Sequence, residues 1–429
     1  MPIVQDILYA IAFLLGGFII PLRWRLRRKR KLGDWPERCG KAAPREGDRP
    51  CLWVHGVSVG EVHSARTLVD GFAARHPGWD IVISTVTDTG KDAAARLFPG
   101  CRVIRFPIDF SRCVRRSLDR IRPTLIVQME GDVWPNFVAM AESRGIPVVI
   151  VSGRMRDNSF PLLCAMRFFM KKTFARFARV AAQNDEYARR FVSLGVPADR
   201  VVVTGSLKWD AVPSEAPDPR PMRRALGMAD DETVLLAAST HSGEEAILLD
   251  AWMALRPQFP KLRLVVVPRR LEEFDLTADA IRARGLVCVR RSSAAGEPAP
   301  ANAVILGDSM GEMMTYYALS DVAFVGKSLI APGGGQNMIE PAGLGKPVLL
   351  GPHTSNFQQV VEALVSAGGA IEVKDASELA SALKQLLADE PLRASVGAKA
   401  KASVDAHRGA TARSLDILEE VLASAGKIR

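Results

Sequence analysis

Short apolar runs alternate with amphipathic stretches along most of this chain after residue 50. In the first half the apolar runs are CLWVHG, DIVISTV, RVIRF, TLIVQME, PVVIVS, RVAAQ and RVVVTG, and segments such as NDEYARRFVSLG lie between them. Strands that alternate with helices of this length predict βαβ units and a parallel sheet. The first half is therefore expected to form a doubly wound α/β domain.

The second half repeats this pattern after a break. The break, DAVPSEAPDPRP at residues 210–221, is rich in proline and acid and is predicted to be a linker. The alternation then restarts with TVLLAAS, LRLVVVP, LVCVR, AVILG, VAFVG, PVLLG and AIEV, and the last fifty residues are predicted to be helical. We therefore predict two Rossmann-like domains, residues 32–209 and residues 222–429 with the C-terminal helices, whose ligand-binding strand edges face a shared cleft.

The first 31 residues follow a different pattern. From Ile3 to Leu22 the only charge is Asp6, and residues 23–31, RWRLRRKRK, then hold seven basic residues. As a helix, the apolar run would span roughly 30 Å, about one hydrocarbon core. Basic residues after the run argue against a cleaved signal peptide and predict a retained anchor, with the rest of the chain in the cytoplasm. The alternative is a buried or interfacial helix, because Asp6 and two glycines weaken the span.

Composition narrows the possible partners. The chain of 429 residues is 48% hydrophobic and 24% charged, and its six cysteines include no C-x-x-C pair, which argues against a disulfide framework or a thiolate zinc site. Because the basic run adjoins an apolar run, anionic lipid is the expected partner rather than nucleic acid. Residues 162–180, LLCAMRFFMKKTFARFARV, mix aromatic and basic side chains, and are either an amphipathic helix on acidic lipid or a domain helix with a basic outer face.

A glycine-rich loop is the most informative stretch of the second half. In VGKSLIAPGGGQNMIEPAGLGKP, residues 325–347, a predicted strand ends at Gly326 and residues 333–335 lead into a predicted helix with Asn337 and Glu340. Bare backbone N–H groups at a helix start attract phosphate, and Glu340 is placed to accept hydrogen bonds from ribose hydroxyls. A tight structural turn is the alternative.

Three other predicted strand ends of this half carry polar residues. VVVPRR ends in Arg269 and Arg270, which suit an anionic group or form a solvated surface pair. ILGDSMGEM places Gly311 and Glu312 at the same sheet edge, and GPHTSNF offers Asn356 at a predicted helix start. The second half is therefore predicted to bind the phosphate of a nucleotide.

Two strand ends of the first half carry carboxylates. WVHGVSVGEV, residues 53–62, predicts a strand, a turn and then Glu61 in the first turn of a helix, where an acid is either functional or simply favoured by the helix dipole. IVQMEGDVWPNF, residues 126–137, predicts Glu130 at a strand end and Asp132 just before a helix that starts at Pro135. We expect Asp132 to cap that helix and Glu130 to be functional.

Taken in order, these strings resemble those of a known family. HGVSVGEV, MEGDVWPN, VTGSLKWD, ASTHSGEE, VPRR, GDSMGEM, FVGKSL and GGGQNMIEPAGLGKPVLLGPHTSNF are similar to the motifs of bacterial 3-deoxy-D-manno-octulosonate (Kdo) transferases, inverting glycosyltransferases of family 30 with the GT-B fold. The resemblance covers most of residues 1–375. The chain departs from the family pattern at Arg270, Asp132 and Ser152. The resemblance implies transfer of Kdo from CMP-Kdo to the lipid A precursor at the cytoplasmic face of the inner membrane.

The resemblance also implies roles for individual residues. Glu61 corresponds to the catalytic base and Glu130 to a carboxylate on the acceptor side. A sugar hydroxyl needs such a base because its own pKa lies far above neutral. The positions that correspond to the donor site are Ser239, Thr240, Arg269, Gly311, Glu312, Asn337 and Glu340.

The sequence leaves two other classes of function open. A sugar-nucleotide epimerase with a GT-B-like fold would carry similar phosphate loops, and an inactive membrane-bound scaffold would carry the anchor. The sequence has no Asp-x-Asp motif or histidine cluster, so it implies no metal, and it implies no cofactor.

Overall fold

The computed structural model describes residues 34–155, 157, 159–213 and 215–428. The chain forms two compact units, one extending to Ala211 and including the chain from Arg408 onward, the other comprising Val212–His407. The predicted anchor at residues 3–22 and its basic neighbour at residues 23–31 lie outside the described residues. Within the described ranges, no helix has both the length and the apolar character needed to cross a membrane.

The first unit is built on a parallel sheet of seven strands, as the sequence predicts. The strand order is β3-β2-β1-β4-β5-β6-β7. The strands are β1 Cys51–His55, β2 Asp80–Thr85, β3 Arg102–Arg105, β4 Leu125–Met129, β5 Val148–Gly153, β6 Arg179–Ala182 and β7 Val201–Val203. The helices up to the end of β7 are α1 Val59–Ser64, α2 Arg66–Arg75, α3 Asp88–Leu97, α4 Ser111–Ile121, α5 Pro135–Glu142, α6 Phe160–Ala165, α7 Arg167–Phe174 and α8 Asp185–Leu194.

The second unit has a second parallel sheet of seven strands. Its order is β10-β11-β9-β8-β12-β13-β14. The strands are β8 Thr233–Thr240, β9 Leu262–Pro268, β10 Val287–Arg290, β11 Ala303–Leu306, β12 Val322–Val325, β13 Val348–Leu350 and β14 Ala370–Glu372. The remaining helices are α9 Arg220–Ala225, α10 Glu244–Leu255, α11 Phe274–Arg282, α12 Met313–Leu319, α13 Ile339–Gly343, α14 Gln358–Ser366, α15 Ala376–Ala388, α16 Glu390–His407 and α17 Ala410–Ser424.

Each sheet is covered on both faces, which explains why its strands are almost continuously apolar. Successive side chains of a strand point to opposite faces. In β1, Trp53 belongs to one apolar cluster, while Leu52 and Val54 belong to another. In β8 the same alternation divides Leu235 from Leu236. Both sheets are therefore the doubly wound, fully buried type.

In each sheet the strand order reverses at one place. In the first unit β1 pairs with both β2 and β4, and in the second unit β8 pairs with both β9 and β12. Ligands of doubly wound proteins bind at the carboxyl ends of the strands beside such a switch point. The predicted site residues follow these strands: Glu61 comes after β1, Glu130 after β4, and Ser239 and Thr240 end β8.

The last helix, α17, does not belong to the domain in which the sequence analysis placed it. We expected all C-terminal helices to belong to the second domain, but α17 belongs to the first unit. Its residues Leu415 and Leu418 share an apolar cluster with Phe72 of α2. His76 Nε2 also lies 2.7 Å from Glu419 Oε1. The helix pattern of the last fifty residues is correct, but the pattern does not say which sheet a helix will cover.

The predicted linker contains some structure of its own. Val212 is buried, and its side chain contacts Gly343 within the second unit. The helix α9 already begins at Arg220, inside the segment predicted to be irregular.

Candidate active site

Glu61 lies in a capping arrangement at the start of α1. The N-cap Ser58 accepts a hydrogen bond from the Glu61 backbone N–H at 3.4 Å. In return the Glu61 carboxylate accepts bonds from the Val57 backbone N–H at 2.8 Å and from the Ser58 hydroxyl at 2.8 Å. A polar N-cap followed three residues later by a glutamate is the sequence of a capping box, and here the carboxylate accepts the N–H of the residue before the N-cap. Both oxygens of Glu61 are therefore held in place by the turn after β1.

Glu61 is more deeply buried than a helix cap needs to be, and its pKa is shifted. The residue is only 5% exposed. Burial raises the pKa of Glu61 from 4.5 to about 7, and the nearby negative charges of Glu130 and Asp132 contribute in the same direction. The hydrogen bonds from Ser58 and Val57 favour the charged form and oppose this shift. A carboxylate with a pKa near neutral accepts a proton much more readily than an ordinary glutamate.

Glu130 is the second carboxylate of this site. It follows β4 with a left-handed backbone, φ 59°, an arrangement uncommon for a residue with a side chain. Its Oε1 lies 3.2 Å from Nζ of Lys208, a residue of the short turn Leu207–Trp209 after β7. Strained backbone of this kind concentrates at functional sites. Lys208 was not among the predicted site residues.

The predicted cap for α5 is wrong. Asp132 does not cap this helix, whose N-cap position is Trp134 without a side-chain cap bond. Asp109 does so from a distant part of the chain: its carboxylate accepts the backbone N–H groups of Asn136 and Phe137 at 3.0 and 2.8 Å. Asp132 instead contributes negative charge near Glu61.

The candidate donor site of the second unit is built from three loops. Gly333, Gly334 and Gly335 all have positive φ, 53°, 114° and 75°, which explains the run of glycines. The Gly335 N–H donates to the Lys327 carbonyl at 2.7 Å, and the Gly334 N–H donates to the His353 carbonyl at 2.7 Å. The glycine-rich loop is thereby joined to the segments after β12 and β13.

A polar cavity of about 450 Å³ opens beside these loops. Arg269, which follows β9, is the predicted donor-site residue in its lining, and its backbone N–H donates to the Thr240 carbonyl at 3.0 Å. The other lining residues are His241, Arg270, Lys327 and Gln336. Such a concentration of cationic groups favours an anionic ligand. Arg269 and Arg270 are both exposed and both line this cavity.

Glu340 lies close to Arg269 in the same unit. Burial raises the pKa of Glu340, while a hydrogen bond from Asn337 and the charge of Arg269 partly offset that effect. The sequence predicted that Asn337 lies on the helix, but the helix begins at Ile339 and Asn337 precedes it. The Oδ1 atom of Asn337 accepts the backbone N–H of Ile339 at 3.1 Å. The helix α13 that carries Glu340 is only five residues long.

Glu312 belongs to a separate polar network. Its carboxylate contacts Nη2 of Arg291 at 2.9 Å and accepts a short hydrogen bond from Ser309. Burial acts to raise the pKa of Glu312, but the bonds from Ser309 and Arg291 outweigh burial and lower it. Gly311 precedes it with φ 87° and open space where a side chain would begin. These two predicted residues do not line the cavity that contains Arg269.

The residue that joins the donor loops is not among those that the sequence predicts. Glu244, the first residue of α10, is 1% exposed. Its carboxylate accepts the backbone N–H groups of His241, Lys327, Ser328 and Leu329 at 2.7 to 2.9 Å. The available signal was ASTHSGEE, in which an acid follows the turn after β8, but no role for it could be inferred without knowing that β12 lies beside β8.

Potential metal ligands are scattered. Among the described residues, no group of three or more histidine, cysteine or acidic side chains could hold a metal ion.

Comparison with known proteins identifies the family. Residues 33–211 match the family model described as 3-deoxy-D-manno-octulosonic-acid transferase (kdotransferase), and residues 246–403 match glycosyl transferases group 1. A 3-deoxy-D-manno-octulosonic acid transferase of Bordetella pertussis is 38% identical over 93% of this chain and 95% of its own length. The chain belongs to this family. A family member from Haemophilus influenzae is 33% identical over 86% of this chain and 87% of its own.

Family membership makes this chain a glycosyltransferase. Each of its two units has the doubly wound parallel sheet of a GT-B glycosyltransferase. A putative UDP-N-acetylglucosamine 2-epimerase of Listeria monocytogenes has a similar fold, with a TM-score of 0.59, covering 89% of this chain and 98% of its own. At 12% identity this likeness shows the fold alone. It therefore does not favour the epimerase alternative over the transferase.

Proposed function

We propose that this chain transfers Kdo from CMP-Kdo to a lipid A precursor in lipopolysaccharide core biosynthesis, with Glu61 as the general base. Membership of the Kdo transferase family supports the donor and the class of acceptor. The observation that carries the assignment of the base is the buried Glu61 carboxylate, whose pKa is raised to about 7. A general base works best when its pKa lies near the operating pH.

The proposed chemistry is a single displacement at the anomeric carbon. An acceptor hydroxyl oxygen forms the new bond to the anomeric carbon of Kdo, and the bond from that carbon to the CMP phosphate breaks with its electron pair leaving on CMP. The hydroxyl proton passes to the carboxylate of Glu61. Attack from the face opposite the leaving group inverts the configuration at that carbon.

On the acceptor side, Glu130 and Lys208 are proposed to position the sugar. Their ion pair of 3.2 Å lies in a partly buried environment, so it supplies both a hydrogen-bond acceptor and a donor for sugar hydroxyls. Glu130 also influences the base directly, because its charge raises the pKa of Glu61. We therefore assign Glu130 to binding and tuning rather than to proton transfer.

On the donor side, the proposal assigns the anionic groups of CMP-Kdo to the cavity lined by Arg269 and Arg270. Glu340 is assigned to the ribose hydroxyls, and Asn337 holds its carboxylate. Ser239 and Thr240, at the end of β8, are assigned to the phosphate side, and Gly311 and Glu312 to a more distant part of the nucleotide. A leaving phosphate held by arginines carries its developing charge at lower cost.

We also propose that the protein works at the cytoplasmic face of the inner membrane and contacts anionic lipid. The apolar run at residues 3–22, followed by seven basic residues, supports an anchor. In the described part of the chain, Phe168 and Phe169 of α7 are 88% and 65% exposed, beside Lys171 and Lys172. Exposed aromatic groups next to basic ones are typical of a surface that meets acidic lipid.

The test is an assay of the full chain with CMP-Kdo and a lipid A precursor in detergent. The expected result is release of CMP together with a lipid whose mass has increased by one or more Kdo residues. Binding of CMP-Kdo without turnover would indicate the scaffold alternative. Conversion of a sugar nucleotide without any heavier lipid would indicate the epimerase, and either result would refute the proposed function.

A further inference from the structure

Lys327 adopts a backbone conformation that a lysine normally avoids. Its φ is 57°, in the left-handed region that favours glycine. The strain is held on both sides, because its N–H donates to Glu244 at 2.7 Å and its carbonyl accepts from the Gly335 N–H at 2.7 Å. A glycine would satisfy both backbone bonds at less cost. The residue type at this position therefore needs an explanation from its side chain.

Lys327 is half-buried and lines the polar cavity. Its neighbours there include Arg269 and Arg270, and the lining contains no carboxylate. Among the described residues, the Lys327 ammonium makes no ion pair within 4.0 Å, in contrast to Lys208 with Glu130. Three cationic side chains around one cavity repel each other in the empty protein, so their arrangement makes sense when an anion is bound.

We propose that Lys327 is a donor-binding residue whose ammonium group contacts an anionic oxygen of CMP-Kdo. This inference rests on the proposed function and goes beyond it, because it adds Lys327, a cation in a strained turn, to the residues that bind the donor. The donor offers two such groups, the phosphate of CMP and the carboxylate of Kdo. Both are oxyanions, and a charge-assisted bond to either is stronger than a neutral one.

Glu244 is the positioning residue for this lysine. It joins the segment after β12 to the turn after β8 through four backbone N–H groups. Ser239, immediately before that turn, also has a left-handed φ of 52°. Two strained residues thus lie on the two segments that one buried carboxylate connects. Strain of this kind persists only where the surroundings fix it.

The first experiment measures the binding of CMP and of CMP-Kdo by calorimetry to the full-length protein in detergent. Lys327→Met removes the charge but keeps the length and the strained φ, and Lys327→Arg keeps the charge. Lys384→Met, on the exposed side of α15, removes one charge outside the cavity. We expect Lys327→Met to weaken CMP-Kdo binding about ten- to a hundredfold. Lys327→Arg should recover most of that loss, and Lys384→Met should show none.

The two ligands distinguish the two oxyanions. Equal losses for CMP and CMP-Kdo assign Lys327 to the phosphate, whereas a loss for CMP-Kdo alone assigns it to the carboxylate. Wild-type affinity of Lys327→Met for both ligands would overturn the proposal. Failure of the wild-type protein to bind CMP-Kdo would instead refute the proposed function, so the two failures can be told apart.

Two further variants test the strain and the role of Glu244. Lys327→Gly should bind CMP-Kdo as weakly as Lys327→Met but melt at a higher temperature than Lys327→Met, because glycine relieves the left-handed φ. Glu244→Gln should weaken binding, and its effect should not add to that of Lys327→Met if Glu244 acts through Lys327. Glu232, just before β8, forms a two-bonded ion pair with Arg263 of β9. Glu232→Gln removes the charge of this buried pair outside the cavity and controls for simple destabilisation. Additive losses would show that Glu244 does not act through Lys327.

Discussion

Glu61→Gln separates a catalytic base from a helix cap. Glutamine has the shape of glutamate, and its amide oxygen can still accept the Val57 N–H that lies 2.8 Å from the carboxylate. Its NH₂ group can donate to Ser58, whose hydroxyl rotates to accept. The capping arrangement is therefore preserved in the variant, while the ability to accept a proton is lost.

The expected loss of turnover is about 10²- to 10⁴-fold, the usual contribution of a general base. In the wild-type protein, kcat/KM should rise with pH and level off above about 7, because the base must be ionised and its pKa is raised to about 7. The acid limb with this midpoint should disappear in Glu61→Gln. Affinity for CMP-Kdo should be unchanged, since Glu61 is not among the residues assigned to the donor.

Stability supplies a second readout with a definite sign. A carboxyl whose pKa rises from 4.5 to about 7 on folding stabilises the protein below pH 4.5, and this contribution is lost as the pH rises through about 7. A shift of this size corresponds to about 3 kcal/mol. Glu61→Gln has no such dependence, so its stability relative to wild type should increase by up to about 3 kcal/mol between pH 4 and pH 8.

The assay follows CMP release and lipid mass, with Glu378→Gln as the matched control. Glu378 also accepts the backbone N–H four residues before it, from Lys374 at 2.9 Å, but it is exposed and belongs to α15. If Glu61 only caps a helix, the two variants should behave alike. A Glu61→Gln protein that transfers Kdo at close to the wild-type rate would refute the assignment of the base.

Four further predictions concern the two sites, the N-terminal segment and the absence of an implied metal. Glu340→Ala should weaken CMP binding by roughly ten- to a hundredfold, measured by calorimetry, because a charged hydrogen-bond partner is lost; unchanged affinity would contradict the assignment to ribose. Lys208→Met should move the acid limb of kcat/KM to higher pH, because the charge of Glu130 then acts on Glu61 without the nearby cation; an unmoved limb would contradict this coupling. Deletion of residues 3–31 should shift the protein from the membrane to the soluble fraction and preserve some activity in detergent; a truncated protein that stays on membranes in high salt would point to the surface around Phe168. Turnover should survive EDTA, and sensitivity to EDTA would reveal a metal site that the sequence and the described residues do not suggest.

The fold was predictable because each strand and helix leaves a local pattern of apolar and polar residues in the sequence. Each of the fourteen strands in the described part of the chain corresponds to an apolar run, and the helices between them correspond to amphipathic segments. The motif order then identified the family. Local patterns do not show which elements pack together when they are far apart in the sequence. Helix α17 has an ordinary apolar stripe, and only the structure shows that this stripe meets Phe72 of the first unit.

The same limit applies to polar residues in the sites. Asp132 precedes α5 in the sequence and looked like its cap, but Asp109, 27 residues before Asn136, accepts the terminal N–H groups. Glu244 looked like an ordinary acid at a helix start, and its function as a connector depends on Lys327, 83 residues away. Glu61 was predictable as a candidate, but the near-neutral pKa that supports its role depends on burial and on Glu130.

Strained backbone is a feature that both sites share and that neither composition nor periodicity predicts. Within the described ranges, six residues other than glycine have positive φ, and four of them lie at carboxyl ends of parallel strands. These four are Glu130, Ser152, Ser239 and Lys327. A left-handed conformation turns the chain sharply out of a strand and re-aims the side chain, at a cost of about 1–3 kcal/mol that glycine would avoid. Glu130 and Lys327 carry opposite charges, and each follows the strand that lies across the switch point from β1 or β8. Both sheets therefore place a strained, charged residue at the position where a doubly wound fold binds its ligand, which is the reason to seek acceptor contacts at Glu130 and donor contacts at Lys327.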